Sequence, residues 1–220
     1  MVEVNVSAVP IRNLARQALA GAGVFTAIVM LLHLIRPEYD VVTRFISEYA
    51  VTDPVLAAIA GVSLGLGSIA LARALAAAVP GECRSRVGLL MLWIFGICFV
   101  GVGLFPADEF PTVNPPSWHG IIHALFGLIG FFSFSLGSLL ISFRLLRAPW
   151  WRKDARLLSV LAGLCFVTFF VFYAGLPVPG LIERIYAALI VAWIGFISRR
   201  LMRAASTATP ESGLARLDRT

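Results

Sequence analysis

The chain has 220 residues, 59% of them hydrophobic and 14% charged, with a mean hydropathy of +0.89. That is too apolar for a soluble domain of this length. The net charge of +6 would suit nucleic acid in a soluble protein, but no basic fold or aromatic platform accompanies it, and no nucleic-acid partner is expected.

Six apolar stretches, each near the ~20 residues needed to cross a hydrocarbon core, use up most of the chain. The expectation is an all-α polytopic membrane protein with one domain, residues 1–220, and spans at about 18–35, 54–79, 87–105, 118–143, 157–176 and 181–198. In the first span the small-residue run Ala18-Leu19-Ala20 precedes the apolar core instead of following it, so a cleaved signal is not expected. Arg36-Pro37 closes this span, since proline disfavours helix in the residue before it. Asp53-Pro54 reads as an N-cap followed by proline at the first helical position of span two. Gly61 and Gly65 in that span are suited to packing within the bundle. Arg73 is placed to snorkel at its far end. Span three stops at Pro106. Span four opens after Ser117 or Asn114 as cap, and a short Pro177–Gly180 turn separates spans five and six. Trp118, Trp150 and Trp151 fall at water boundaries. Residues 199–220 form a basic tail.

The segments between spans alternate in charge. Residues 1–17, 72–87, 144–156 and 199–220 hold 15 of the 18 Lys and Arg and 5 of the 12 acids, a net +10. The intervening segments hold Arg36, Arg44, Arg184 and 7 acids, a net −4. Lys and Arg of short loops stay on the cytoplasmic side, so both termini are expected there, with the basic face against anionic headgroups. The bias of 17 Arg to one Lys points to a GC-rich bacterium and hence to the bacterial cytoplasmic membrane. Cys83, Cys98 and Cys165 match no metal spacing and read as small hydrophobes.

Within 36–54, Val41, Val42, Phe45, Ile46 and Tyr49 recur at helical spacing opposite Asp40, Thr43, Arg44, Ser47 and Glu48, which predicts a short amphipathic helix with Asp40–Arg44 and Arg44–Glu48 pairs. This alternation also places most polar candidates at one depth, just inside the extracytoplasmic surface: His33, Ser47, Glu48, Asp108, His119, His123, Glu183 and Arg184. Ionisable groups beside apolar spans face a bundle interior or a water-filled cleft. His119-Gly-Ile-Ile-His123 puts two imidazoles on one helix face. With Asp108 or Glu48 they would make a zinc-type site; without metal they are a hydrogen-bonded pair. Pro106 either only ends span three or aims Asp108 back at the histidines. Arg184 either pairs with Glu183 or receives a phosphate or carboxylate headgroup.

Arg36-Pro-Glu-Tyr39, Phe45-Ile-Ser-Glu48, Leu104-Phe-Pro-Ala-Asp108, His119-Gly-Ile-Ile-His123 and Gly180-Leu-Ile-Glu-Arg184 resemble, in order and spacing, the bacterial domain of unknown function 998 family, whose members look like six-helix membrane proteins. Glu183 departs from the Gln expected there. More remotely the chain is similar to the Frag1/DRAM/Sfk1 group of eukaryotic membrane proteins. The resemblance implies architecture and the same polar cluster, and no reaction.

Three functions follow. The first is a lipid- or small-ligand-binding cavity lined by Ser47, Glu48, Asp108, His119, His123 and Arg184. The second is a metal-assisted lipid hydrolase or transferase on His119, His123 and Asp108. The third is a structural or accessory subunit whose polar cluster is a brace. Haem between the two histidines would require them to come from different helices or depths. A channel or pump is disfavoured, since no span carries an ionisable residue at its midpoint.

Overall fold

The computed structural model describes residues 8–109 and 115–207. Asn114, the alternative cap, and the tail beyond Thr207 lie outside the described residues. The elements are α1 (Ala8–Ile35), a 3-10 turn (Ile46–Glu48), the short α2 (Tyr49–Thr52), α3 (Pro54–Ala78), α4 (Arg86–Leu104), α5 (Trp118–Leu145), α6 (Arg152–Tyr173) and α7 (Pro179–Thr207). The six long helices are each long and apolar enough to cross a membrane. Residues such as Leu66, Ile97, Val160 and Val167 are exposed in mid-helix, an outward apolar surface that suits lipid and not water. The chain is an all-helical integral membrane protein.

Neighbours in sequence are neighbours in space: α1 packs on α3, α3 on α4, α4 on α5, α5 on α6 and α6 on α7, and α7 closes the ring on α1. Helices α3 and α4 meet backbone to backbone. A Cβ on Gly96 would meet the Gly65 carbonyl oxygen at 2.8 Å, and Gly61 lies equally tight against Gly103. The Gly61/Gly65 pair thus serves packing inside the bundle, where the absence of side chains lets two backbones touch.

Several helix limits differ from those expected. The first helix is already formed at Ala8, ten residues before the apolar core, because Ala15 and Ala18 are buried in the core that α7 shares. The fifth spanning helix starts at Arg152 and ends at Tyr173. Gly175, with φ of 72°, takes the left-handed conformation that terminates a helix. The last helix runs past Ser198 to Thr207 because Arg200 is clamped: its Nε donates to Asp154 at 2.7 Å and its guanidinium lies 5.1 Å from the Trp151 ring centroid. Cys98 and Cys165 are buried, Cys83 is partly buried, and all three are free thiols.

A polar seam that hydropathy does not reveal joins α5, α6 and α7. Ser135 pairs with Tyr186, whose hydroxyl donates to the Phe131 carbonyl at 2.7 Å. Trp193 Nε1 donates to Ser142 Oγ at 3.1 Å. Such cross-helix bonds add specificity to an otherwise apolar interface.

Replacing Gly96 by Leu should destabilise the bundle by about 1–3 kcal/mol, the usual cost of overpacking. Gly163→Leu, where a Cβ meets nothing within 4 Å, should be nearly neutral. Thermal unfolding of the purified protein in detergent, followed by tryptophan fluorescence, checks the difference.

Candidate functional site

The polar residues gather at the end of the bundle that carries residues 36–53, as their common depth predicts. They do not form one cluster. Three separate groups form, and most of their members serve backbone atoms.

The first group seals the α4–α5 corner. Pro106 ends α4, leaving the carbonyls of Phe105 and Pro106 without helical donors. The two histidines supply them: His123 Nδ1 donates to Phe105 O at 2.7 Å, and His119 Nδ1 donates to Pro106 O at 3.0 Å. Asp108 accepts from Ser117 N at 2.8 Å and from Ser117 Oγ at 2.5 Å, while Ser117 Oγ caps α5 by accepting from Gly120 N at 3.0 Å. The Asp108 carboxylate occupies the space a Gly120 side chain would need, which explains the glycine between the histidines. His119 Nδ1 stands 3.8 Å from Asp108 Oδ1, beyond a hydrogen bond. Among the described residues no group of three or more His, Cys, Asp or Glu could hold a metal. In place of the alternative metal triad of His119, His123 and Asp108 stand two histidine braces and an acid bound to a serine.

The second group fastens the 36–53 segment to α7. This segment is not the amphipathic helix expected across 40–49. Asp40 Oδ1 accepts from Val42 N at 2.9 Å and Thr43 N at 2.8 Å, and such short-range bonds compete with helix. Arg44 N donates to Asp40 O at 2.9 Å in a single turn, but helix begins only at Ile46. The Leu181 amide donates to Val42 O at 3.1 Å, Arg184 Nη1 donates to Arg44 O at 2.7 Å, and Glu183 Oε2 accepts from Ile46 N at 2.5 Å. Alternate residues 42, 44 and 46 are thus held by the first turn of α7. Gly180 permits the contact, because the Arg44 carbonyl sits where a Cβ would project. Arg184 Nε also donates to His33 Nε2 at 2.7 Å, and His33 Nδ1 donates to Val29 O at 2.6 Å, so geometry fixes His33 as the neutral Nδ1–H tautomer. Glu48, 1% exposed, accepts from Phe45 N at 3.0 Å and faces Arg44 at 3.5 Å, and Arg44 reaches Glu109 at 3.2 Å. The Arg44–Glu48 pair is therefore present.

Asp53 occupies the N-cap position with Pro54 behind it, but its side chain does not cap α3. Arg36 takes it in a two-pronged pair, Nε to Oδ2 at 2.6 Å and Nη2 to Oδ1 at 3.2 Å. The Arg36 hydrogen bond holds the Asp53 carboxyl below its usual value, Ser117 does the same for Asp108, and the Thr43 amide for Asp40.

The third feature is a cavity of about 260 Å³ to which all six long helices contribute, roofed by Phe45, Ile46, Ser47 and Ala50. Of the six candidate residues, Ser47 and His123 line it. Glu48, Asp108, His119 and Arg184 do not. Two polar residues that were not among the candidates do line it, Tyr173 and Glu183. Glu183 was placed at the same depth and read as a possible partner of Arg184, not as part of the lining. Its acid character two residues after an N-terminal Gly-Leu pair was the available signal.

Each carboxyl held low in the folded protein and near 3.9 when unfolded stabilises the fold at pH values above that figure, and the contribution disappears as pH falls through the lower folded value. The thermal midpoint should therefore drop below about pH 4, with a shallower drop in Asp108→Asn. His123→Ala should cost about 1–3 kcal/mol by leaving a buried carbonyl unpaired. Thermal melts across pH check both.

Comparison with curated proteins and with solved structures gives no match. Residues 19–200 match the family described as Protein of unknown function (DUF998), and the chain belongs to that family.

Proposed function

We propose that this membrane protein binds a lipid or small apolar ligand in the cavity at the 36–53 end of the bundle. The observation that carries the reading is the cavity itself. It lies inside a ring of six helices, and its lining is apolar apart from Ser47, His123, Tyr173 and Glu183. Apolar walls with a few convergent polar groups are the usual form of a small-molecule site. We further propose that this end faces the extracytoplasmic side of a bacterial cytoplasmic membrane and that the opposite, Arg-rich end meets anionic headgroups, which follows from the distribution of Lys and Arg.

The brace residues support a scaffold role for the rest of the cluster. His119, Asp108, Glu48 and Arg184 hold backbone and neighbouring side chains in place, and so shape the cavity without lining it.

Gly127 lines the cavity, and a Cβ added there meets nothing within 4 Å. Gly127→Leu should therefore fill the space and leave the fold intact. Native mass spectrometry of protein released from nanodiscs should show one bound amphiphile per chain in the natural protein and none in Gly127→Leu, with equal thermal midpoints. Equal ligand content in the two proteins would contradict the reading.

A further inference from the structure

We propose that the cavity takes a single-chain amphiphile whose head donates hydrogen bonds and carries no negative charge, such as a primary alcohol or amine, with the head beneath the 46–50 roof. This deepens the cavity reading above and rests on it.

The polar groups that face the cavity are Ser47, His123, Tyr173 and Glu183, and no Lys or Arg is among its lining residues. His123 spends its Nδ1 proton on the Phe105 carbonyl, which leaves Nε2 as an acceptor in the neutral ring. Glu183 is 7% exposed, and its carboxylate accepts from the Ile46 amide. The two hydroxyls can donate or accept. The site therefore offers one obligate acceptor, His123 Nε2, a second in Glu183 when its carboxyl is ionised, and no obligate donor. Arg184, next to Glu183, does not reverse this. Its Nε goes to His33, its Nη1 is shared between Arg44 O and Gly180 O at 2.7 and 2.9 Å, and its buried Nη2, without a hydrogen-bond partner, belongs to a side chain that does not line the cavity. A carboxylate or phosphate head would lie beside Glu183 with no cation directed at it, and burying an unpaired anion is costly. A donor head would satisfy the acceptors.

Position and size point the same way. Glu183 is four residues into α7 and His123 five residues into α5, which places both within about 8 Å of their helix starts at 1.5 Å per residue. Ser47 belongs to the roof and Tyr173 ends α6. Deeper in, the walls are Phe25, Leu64, Phe99 and Ile190, all apolar. Phe25 stands ten residues, or roughly 15 Å, from the end of α1. A volume of about 260 Å³ holds on the order of ten methylene- or water-sized groups at ~30 Å³ each.

The test is photo-crosslinking of the full chain in phosphatidylcholine nanodiscs. Three probes share one decyl tail bearing a diazirine and end in a hydroxyl, a primary amine or a carboxylate. Labelled residues are mapped by mass spectrometry. The hydroxyl and amine probes should label cavity residues at least tenfold more than the carboxylate probe at pH 7.5, and Gly127→Leu should abolish labelling there by all three. In Glu183→Gln, which keeps an oxygen for the Ile46 amide and adds a donor, the preference should shrink at least threefold. Equal labelling by the three heads, or more by the carboxylate, would overturn the proposal while leaving the cavity reading intact. No cavity labelling by any probe would overturn the cavity reading itself. Should Glu183→Gln fail to fold, the head preference of the natural protein and the Gly127→Leu control still decide.

Discussion

In a bilayer core no backbone amide or carbonyl can rely on bulk water, so one buried among the helix ends must find a partner in the protein. That constraint accounts for most of the polar chemistry at one end of this molecule. The carbonyls of Phe105 and Pro106, just past the end of α4, have no helical donors, and His123 and His119 answer them from α5. The 42–46 segment crosses the bundle mouth without regular structure, and the first turn of α7 receives its backbone group by group. Residues that resemble catalytic parts in a sequence are here fasteners, each spent on a specific main-chain atom.

The same fastening makes a cavity possible. A ring of six helices would close on itself if its mouth were free to collapse. Here the roof is held at a set height by Glu183 and Arg184, and the α4–α5 corner is held by the histidines and Asp108. The space between is left to small residues, Ala57, Ala60, Gly61 and Gly127, whose side chains do not fill it. Scaffold and site are thus different residues at the same depth. Glu183 and His123 belong to both, since one holds the Ile46 amide, the other the Phe105 carbonyl, and both border the cavity.

Much of the architecture was legible in the chain because it is local. Apolar runs of spanning length, prolines at their ends and Ser117 three residues before Gly120 report on the few residues around them, and the structure agrees with each. Asp53 misled because its carboxylate answers Arg36, 17 residues away, instead of its own helix. The 40–49 periodicity misled because Asp40 can bond its own neighbours' amides, which no hydrophobic pattern records. The polar residues could be placed at one depth by counting along the spans. How they divide into brace, clasp and lining depends on which backbone atom each one meets, and that is a tertiary property. The Ser135–Tyr186 contact was silent for a related reason: a serine in an apolar helix carries no sign of whether it bonds its own backbone or a partner helix.

The claim on which the rest depends is that the first turn of α7 holds the cavity roof down through Glu183. Hydrogen–deuterium exchange of the peptide spanning Phe45–Ala50 measures it directly, comparing the natural chain with Glu183→Ala. The account predicts that the Ile46 and Ser47 amides exchange slowly in the natural protein and at least tenfold faster in the variant, with the mid-span amides of α3 and α5 unchanged. Exchange of the roof amides at the same rate in both proteins would contradict it.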